Sequence, residues 1–415
     1  MSNLEQYTPK ANIAYLTWIM LWVNAIPDTA VLIDWPDCSF FKSDIIYNNH
    51  DIYSTLKSVE NNHRVYYTGL TVNNVIKWHE EKVKKELLRM KDDKNINFIF
   101  ITTFPMAEVL WIQYDMTLRD LWLEEKSIEI KWSIKKDWLD WYAEILVWLA
   151  KWLNLESVKK DKNSVSIIWN LFDRNEWDCK WNIEELKRIL EKIWLKVNTI
   201  WLNWKWINNL KEVEKSEYII SLPYGRKAAQ IVSKNIWAKL IETCLPFGIQ
   251  NTEKFILDVW KEFWIEGSII YNFIKEEKKY IYDKISFSIR DIFFDKKMSF
   301  ILDPNLIEWL INYSEILWFD IETIVWVSNK WKRDEIINGY NINYWIEFSK
   351  IKITNNDLVI KNSIHRFSDN EIDFWFPNIT NHYFYNSSYL WFNWSINFIN
   401  LLVNYFLKID NSNEN

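Results

Sequence analysis

The chain has 415 residues, with 50 Lys and Arg against 56 Asp and Glu for a net charge of -6, and is 49% hydrophobic. That length exceeds one compact core, so two or three domains of about 100 to 150 residues are expected. The acidic balance, with no compensating basic cluster, excludes a nucleic-acid footprint.

In chain order, short β-rich runs alternate with helical stretches, which is the α/β pattern. A first block offers "TAVLID", "RVYYTG" and "NFIFITT", separated by helical material such as "NNVIKWHEEKVKKELLRM". After the polar "KKDKNS" a second block runs "VSIIWN", helix "IEELKRILEKI", "LKVNTIWL", "YIISLP", helix "RKAAQIVSKNI" and "AKLIETCLP". A charged helical linker, "FIKEEKKYIYDKISFSIRD", leads to a third block: "MSFILD", helix "LIEWLINYSEIL", "FDIETIVWV", "DLVIKNS", "IDFWFP" and a terminal helix from Ile396 to Leu407. The rhythm predicts three Rossmann-like domains, each a parallel sheet flanked by helices, around a central cleft. Their expected bounds are 1–160, 161–275 and 276–415.

Tryptophan and glycine usage is abnormal. The chain holds 29 Trp and only 5 Gly, whereas ordinary usage of about 7% Gly gives roughly 29 glycines at this length. The tryptophans stand where glycine belongs. "VLIDWPDCSF" runs a buried strand into a Pro turn through Trp35, and "NEWDCKW", "WLNWKWINN", "VSNKWKRDE" and "YLWFNWS" are polar loop sequences. "EKIWLKVNTI" and "EILWFDIETIV" read as helix, glycine cap and strand if Trp194 and Trp318 are glycine. Most Trp letters are therefore read as glycines, produced by translating UGA as tryptophan where the source lineage reads it as glycine. The alternative is a truly Trp-rich protein using indoles against carbohydrate or a membrane interface. UGG codons at Trp35, Trp169, Trp194 and Trp318 would overturn the glycine reading.

Cys38, Cys179 and Cys244 are far apart, with no CxxC, so a disulfide framework is not expected and a reducing cytoplasm fits. The N-terminus lacks a signal-peptide pattern. The C-terminal "YLWFNWSINFINLLVNYFL" approaches a membrane span in length but becomes a loop and an amphipathic helix once Trp391 and Trp394 are glycine, so no membrane partner is expected.

Open parallel sheets bind ligands at the carboxyl ends of their strands. The residues there include Asp34, Asp37 and Cys38, then Phe104-Pro105, Trp169-Asn170, Pro223-Tyr224-Gly225, Asp303-Pro304 and Phe376-Pro377. Cys38, in a turn rich in free backbone N–H groups, suits a thiolate that ligates iron-sulfur or acts as nucleophile, or else a small buried hydrophobe. Asp34 and Asp37 flank it and could give a carboxylate ligand, or simply cap the turn. Cys244 is expected in the core, and Cys179, in an Asp/Lys-rich loop, facing solvent. His365 and His382 lie near strand ends and are either cleft-facing or structural. A Walker pattern is absent even with Trp read as Gly, and "WLNWKW" matches a dinucleotide fingerprint only loosely.

With Trp read as Gly, the chain resembles the nitrogenase component 1 type of oxidoreductase. That superfamily includes nitrogenase molybdenum-iron protein subunits, dark-operative protochlorophyllide reductase and the nickel-sirohydrochlorin reductive cyclase. "IPDTAVLIDWPDCSFF" resembles its first strand, Gly-Pro turn and first cluster cysteine. "RVYYTGLTVNNVI", "FIFITTFPMAEVLWIQYD", "DWLDWYAEIL", "LPFGIQNTEKFI" and "SYLWFNWSINFI" resemble further family segments in the same order.

The resemblance implies an iron-sulfur cluster with Cys38 as metal ligand, and a homo-dimer or paralogous hetero-dimer. It also implies electrons from an ATP-dependent iron-protein reductase and a small conjugated substrate such as a tetrapyrrole. The departures imply something narrower. Phe104 stands where the family has a cysteine before proline, "ISLPYG" offers no cysteine, and Leu390 stands where a cofactor histidine is expected, so the nitrogenase cofactor is not expected. The alternative is a cluster-deficient binding or scaffold subunit of the same fold.

Overall fold

The computed structural model describes residues 15–35, 43–47, 49–57, 63–71, 79–103, 113–131, 138–168, 178–263, 265–327, 336–337, 340–344, 357–363, 369–382, 384 and 388–413. Their architecture is α/β, in three separate sheets.

The first sheet contains β1 (Thr29–Asp34), β2 (Val65–Tyr67), β3 (Phe98–Thr103) and β4 (Ser127–Ile130), in the order β2-β1-β3-β4 and all parallel. Every residue of β1 and β3 is buried. This is why both read as unbroken apolar runs without alternation: a parallel strand is covered on both faces. The preceding helix, α1 (Tyr15–Ala25), is apolar all round and buried from Leu16 onward. Its last turn is held by Arg64, which donates to the carbonyls of Val23, Ile26 and Thr29. The crossovers described are α2 (His79–Asp92) and α3 (Tyr114–Asp120), and α4 (Trp138–Trp152) follows β4.

The second sheet repeats that strand order. Its strands are β5 (Ser164–Ile168), β6 (Lys196–Ile200), β7 (Tyr218–Ser221) and β8 (Lys239–Glu242), arranged β6-β5-β7-β8 and again all parallel. Its helices are α5 (Asp178–Lys192), α6 (Arg226–Ile236) and α7 (Gly248–Trp260). Helix α5 starts earlier than expected, at Asp178 rather than near Ile183. Cys179 therefore faces inward with Ile183, Leu186 and Ile189 and is buried, correcting the solvent-facing position expected of it. Cys244 is half-buried, and burial pushes its thiol up.

Helices α8 (Gly267–Tyr282) and α9 (Phe287–Phe293) lead to the third sheet. It is formed by β9 (Lys297–Leu302), β10 (Asp320–Trp326), β11 (Ile336–Ile337), β12 (Tyr340–Tyr344), β13 (Leu358–Asn362) and β14 (Glu371–Trp375), with α10 (Pro304–Leu317) between β9 and β10. The order is β11-β12-β10-β9-β13-β14, parallel except for the β11/β12 pair. The last helix, α11 (Trp391–Asn413), folds back onto α5, α7, α8 and α9. Its start is fixed by Asn182, whose Oδ1 accepts from the backbone N–H of Tyr389 and Leu390 at 2.8 and 3.1 Å. Among the described residues no helix is long and apolar enough to cross a membrane.

The tryptophans have an unusual backbone distribution. Ten described non-glycine residues have positive φ, and six are Trp: 122, 194, 204, 237, 318 and 391. Trp237 and Trp318 are left-handed C-caps of α6 and α10, and Trp194 follows α5 at φ 61°. Trp35 is half-buried, and its N–H donates to the Ile33 carbonyl at 2.9 Å, closing a three-residue turn. Trp169 lies outside the described residues.

Candidate functional site

Asp34 ends β1 at the point where the chain leaves the first sheet in opposite directions, toward β2 and toward β3. In such an open sheet this is where a ligand crevice forms. The Asp34 side chain is fully buried and is met by three neighbouring groups. Thr68, just past β2, donates its hydroxyl to Oδ1 at 2.8 Å. Tyr114, the first residue of α3, donates its phenol to Oδ2 at 2.5 Å. His79, the first residue of α2, places Nε2 2.6 Å from the same oxygen. The Asp34 carbonyl is also used, accepting from Thr103 at the end of β3 at 3.2 Å. Burial, then the Asp34 charge, pushes the Tyr114 phenol well above its ordinary range, so it stays protonated and donating.

These contacts decide what Asp34 can do. A carboxylate is acceptor-only, and here Oδ2 serves two neighbours and Oδ1 a third. One lone pair of Oδ1 is left over, so a metal could reach Asp34 only through that oxygen unless a neighbour gave way. The His79 ring, in contrast, has its other nitrogen, Nδ1, buried with no hydrogen-bond partner. Cys38 and Asp37, the other two candidate ligands, lie outside the described residues, as do Phe104 and His365. Among the described residues no three His, Cys, Asp or Glu side chains gather as a metal-holding group.

A second buried cluster joins the carboxyl ends of the other two sheets. Tyr224, after β7, donates to Asp303 Oδ1. Asp303 also caps α10, accepting from the Asn305 N–H at 2.8 Å, and Asn305 Nδ2 donates to the Tyr224 oxygen. Burial and the Asp303 charge push the Tyr224 phenol well up. From Tyr224 a run of rings crosses the centre of the molecule. Tyr142 on α4 lies 5.8 Å from Tyr224, and Trp18 and Trp22 on α1 lie 5.6 and 5.5 Å from Tyr142. Phe376 lies 5.3 Å from Trp18 and 4.6 Å from His50. The junction of the three sheets is thus packed with aromatic side chains.

His50 closes that run across blocks, its Nδ1 accepting from the Asn378 N–H at 3.3 Å. Burial lowers its pKa from 6.5 to about 3, so folded His50 stays neutral while the unfolded chain takes up a proton below pH 6.5. The stability that neutrality contributes is complete above pH 6.5 and is lost as pH falls toward 3. Between pH 7 and pH 5 the loss expected from this residue is about 2 kcal/mol. Urea titrations at the two pH values check this: His50→Gln should show a smaller pH dependence than the unmodified chain, and equal dependence would refute it.

A cavity of about 550 Å³ opens between the 51–53 loop, α5 and the turn after β6. Its walls carry Tyr53, Lys180, Glu184, Lys187, Trp204 and Lys205. Asp51 and Asn203 also line it, so its three lysines face two carboxylates and the lining is mixed in charge.

Sequence reasoning brought out Asp34, Tyr224 and Asp303 as strand-end residues but not His79, Tyr114 or Thr68. His79 opens a polar helix far along the chain from Asp34, with no spacing that marks the pair.

Similar proteins agree with this architecture. A nitrogenase Cp1 chain at pH 6.5 superposes with a TM-score of 0.73 at 16% identity, covering 94% of this chain and 91% of its own. The same protein at pH 5 gives a TM-score of 0.72 at 13% identity, covering 94% and 87%. A light-independent protochlorophyllide reductase subunit from Adiantum capillus-veneris is 35% identical over 95 residues. That match covers 22% of this chain and only 17% of the relative's length. Residues 24–317, more than half of the chain, match the family model for nitrogenase component 1 type oxidoreductases, and the chain belongs to that family.

Proposed function

We propose that the chain is an oxidoreductase subunit that takes electrons from an ATP-dependent iron protein and reduces a small conjugated molecule such as a tetrapyrrole. The family match carries this reading, and the local likeness to a protochlorophyllide reductase subunit favours that substrate class. Cys38 supplies one thiolate to an iron-sulfur cluster at the interface of a homo-dimer or paralogous hetero-dimer, and Asp37 remains its nearest carboxylate in sequence. Since such a cluster takes four ligands, the partner completes it. The bound cluster supplies one-electron transfer, while this chain holds it and shapes the substrate cleft. The domains proposed are those expected above, 1–160, 161–275 and 276–415, in a cytoplasmic protein.

Anaerobic expression alone and with the paralogue, followed by iron analysis, tests this reading. Iron should bind and be largely lost in Cys38→Ala. Iron unchanged by the substitution, or no iron in either preparation, would leave the second reading, a non-catalytic binding or scaffold subunit. That second reading is favoured by Phe104 in place of a ligand cysteine.

A further inference from the structure

We propose that the cavity between the 51–53 loop, α5 and the turn after β6 binds a small aromatic monocarboxylate, with Lys205 anchoring its carboxylate group. This site is independent of the oxidoreductase reading and needs no cluster.

The backbone of the turn sets the place apart. Of the ten described non-glycine residues with positive φ, six are Trp and three are Asn or Asp, which tolerate the left-handed region. Leu202, at φ 64°, is the exception, and its side chain is fully buried. Such a backbone costs about 1 to 2 kcal/mol. It persists only where the surroundings fix it, characteristically at ligand clamps and active sites. Here they do fix it. The Trp204 N–H donates to the Ala25 carbonyl at 3.1 Å, and Asn203 Oδ1 accepts from the Lys205 N–H at 3.2 Å. The turn follows the carboxyl end of β6, the side of an open parallel sheet where ligands bind.

Existing contacts decide which charges are left for a ligand. Glu184 and Lys187 pair with each other at 3.0 Å. Asp51 is turned inward: its Oδ2 accepts from Asn24 Nδ2 at 2.7 Å, and its Oδ1 from the Tyr53 N–H at 2.8 Å. Lys180 lies over the Trp181 ring at 5.8 Å. Lys205, exposed and lining the cavity, has no carboxylate partner among the described residues. Three lysines against two carboxylates leave the walls with one net positive charge. That charge suits a monocarboxylate, whereas a phosphate monoester brings close to two negative charges.

The rest of the lining sets the body of the ligand. A volume of about 550 Å³ lies within the range of pockets that enclose small molecules. Ile183 and the Tyr53 ring supply apolar wall. Tyr53 is 56% exposed and packs edge-on at 6.4 Å to Phe384, itself 62% exposed. Much of that aromatic pair is thus left open to a third ring. Glycine at position 204 would enlarge the cavity without removing Lys205, Tyr53 or Ile183.

Isothermal titration calorimetry of the full-length chain with naphthalene-2-carboxylate, naphthalene-2-carboxamide and 2-naphthyl phosphate tests this. The carboxylate should bind saturably and roughly tenfold more tightly than the carboxamide, the factor expected of one charge-assisted contact. In Lys205→Gln the two should bind alike. Lys234→Gln, at an exposed lysine on α6, should keep the preference. Tyr53→Ala should weaken both roughly fivefold. Lys205 and Tyr53 are exposed, so neither replacement opens the core, and thermal melting checks that each variant folds. The proposal is overturned by a carboxylate that binds no better than the carboxamide, or by tighter binding of the phosphate. A preference that survives Lys205→Gln or is lost equally in Lys234→Gln, or the absence of saturable binding, also overturns it. None of these outcomes bears on iron binding, so the oxidoreductase reading stands or falls separately.

Discussion

Replacing Trp122, Trp194, Trp237 and Trp318 together by glycine is expected to stabilise the fold by about 3 kcal/mol. Each of the four has φ between 58° and 67°. A left-handed backbone brings Cβ against the following carbonyl at a cost of about 1 to 2 kcal/mol per residue, and glycine has no Cβ. Little is lost in exchange, since the indoles are 87%, 67%, 84% and 43% exposed. Two effects oppose the gain. Glycine adds about 0.4 to 1 kcal/mol of unfolded-chain entropy per site. In addition, Trp318 packs edge-on to Phe287 and lies under the Arg290 guanidinium at 4.9 Å, worth about 0.5 to 1 kcal/mol.

The opposite sign is expected in the core. Trp201 and Trp375 are fully buried, and their Nε1 atoms donate to the Leu210 and Ile301 carbonyls at 3.2 and 3.0 Å. Glycine at either should cost about 3 to 5 kcal/mol in this chain. Chemical denaturation of the quadruple variant and the two single variants separates the cases. A quadruple variant less stable than its parent would refute the strain argument. The gene gives an independent check, because UGA is expected at these four codons and UGG would defeat the glycine reading there.

The fold was readable largely because parallel strands advertise themselves. "TAVLID", "NFIFITT" and "YIISLP" became β1, β3 and β7 because a strand covered on both faces tolerates few polar residues. Strand β4, "SIEI", is too short and too polar to stand out beside them, and the β11/β12 pair lies between segments with no clear period. Cys179 was misplaced for a related reason. "NEWDCKW" looks like a loop because its charges hide the fact that positions 179, 183 and 186 share a helical face.

The site was half legible. A carboxylate ending an apolar run marks a strand end, which brought out Asp34 and Asp303. What each carboxylate touches depends on crossovers that return distant residues to the same sheet edge. His79 and Tyr114 open helices whose sequences are otherwise ordinary. No local pattern announces that both phenol and imidazole converge on one oxygen.

That convergence makes Asp34→Ala the substitution with the largest expected single effect at the site, a loss of about 3 to 5 kcal/mol. Removing the carboxylate leaves the Thr68 hydroxyl, the Tyr114 phenol and the His79 N–H facing a void. A buried donor left without its acceptor costs about 1 to 3 kcal/mol. The sum is reduced because the hydroxyls can rotate and because a buried charge no longer has to be desolvated. Asp34→Asn separates charge from shape. Its amide oxygen still accepts from Thr68, and its NH₂ can donate to the Tyr114 oxygen or to His79 Nε2. The imidazole can then move its proton to Nδ1, so the asparagine variant should lose only about 1 to 2 kcal/mol while exchanging the histidine tautomer. Urea midpoints measure the first effect, and 15N shifts of the His79 ring measure the second. Alanine and asparagine variants of equal stability would mean that the carboxylate is not the organising acceptor. An unchanged His79 tautomer in Asp34→Asn would mean that the ring is fixed by something other than Asp34.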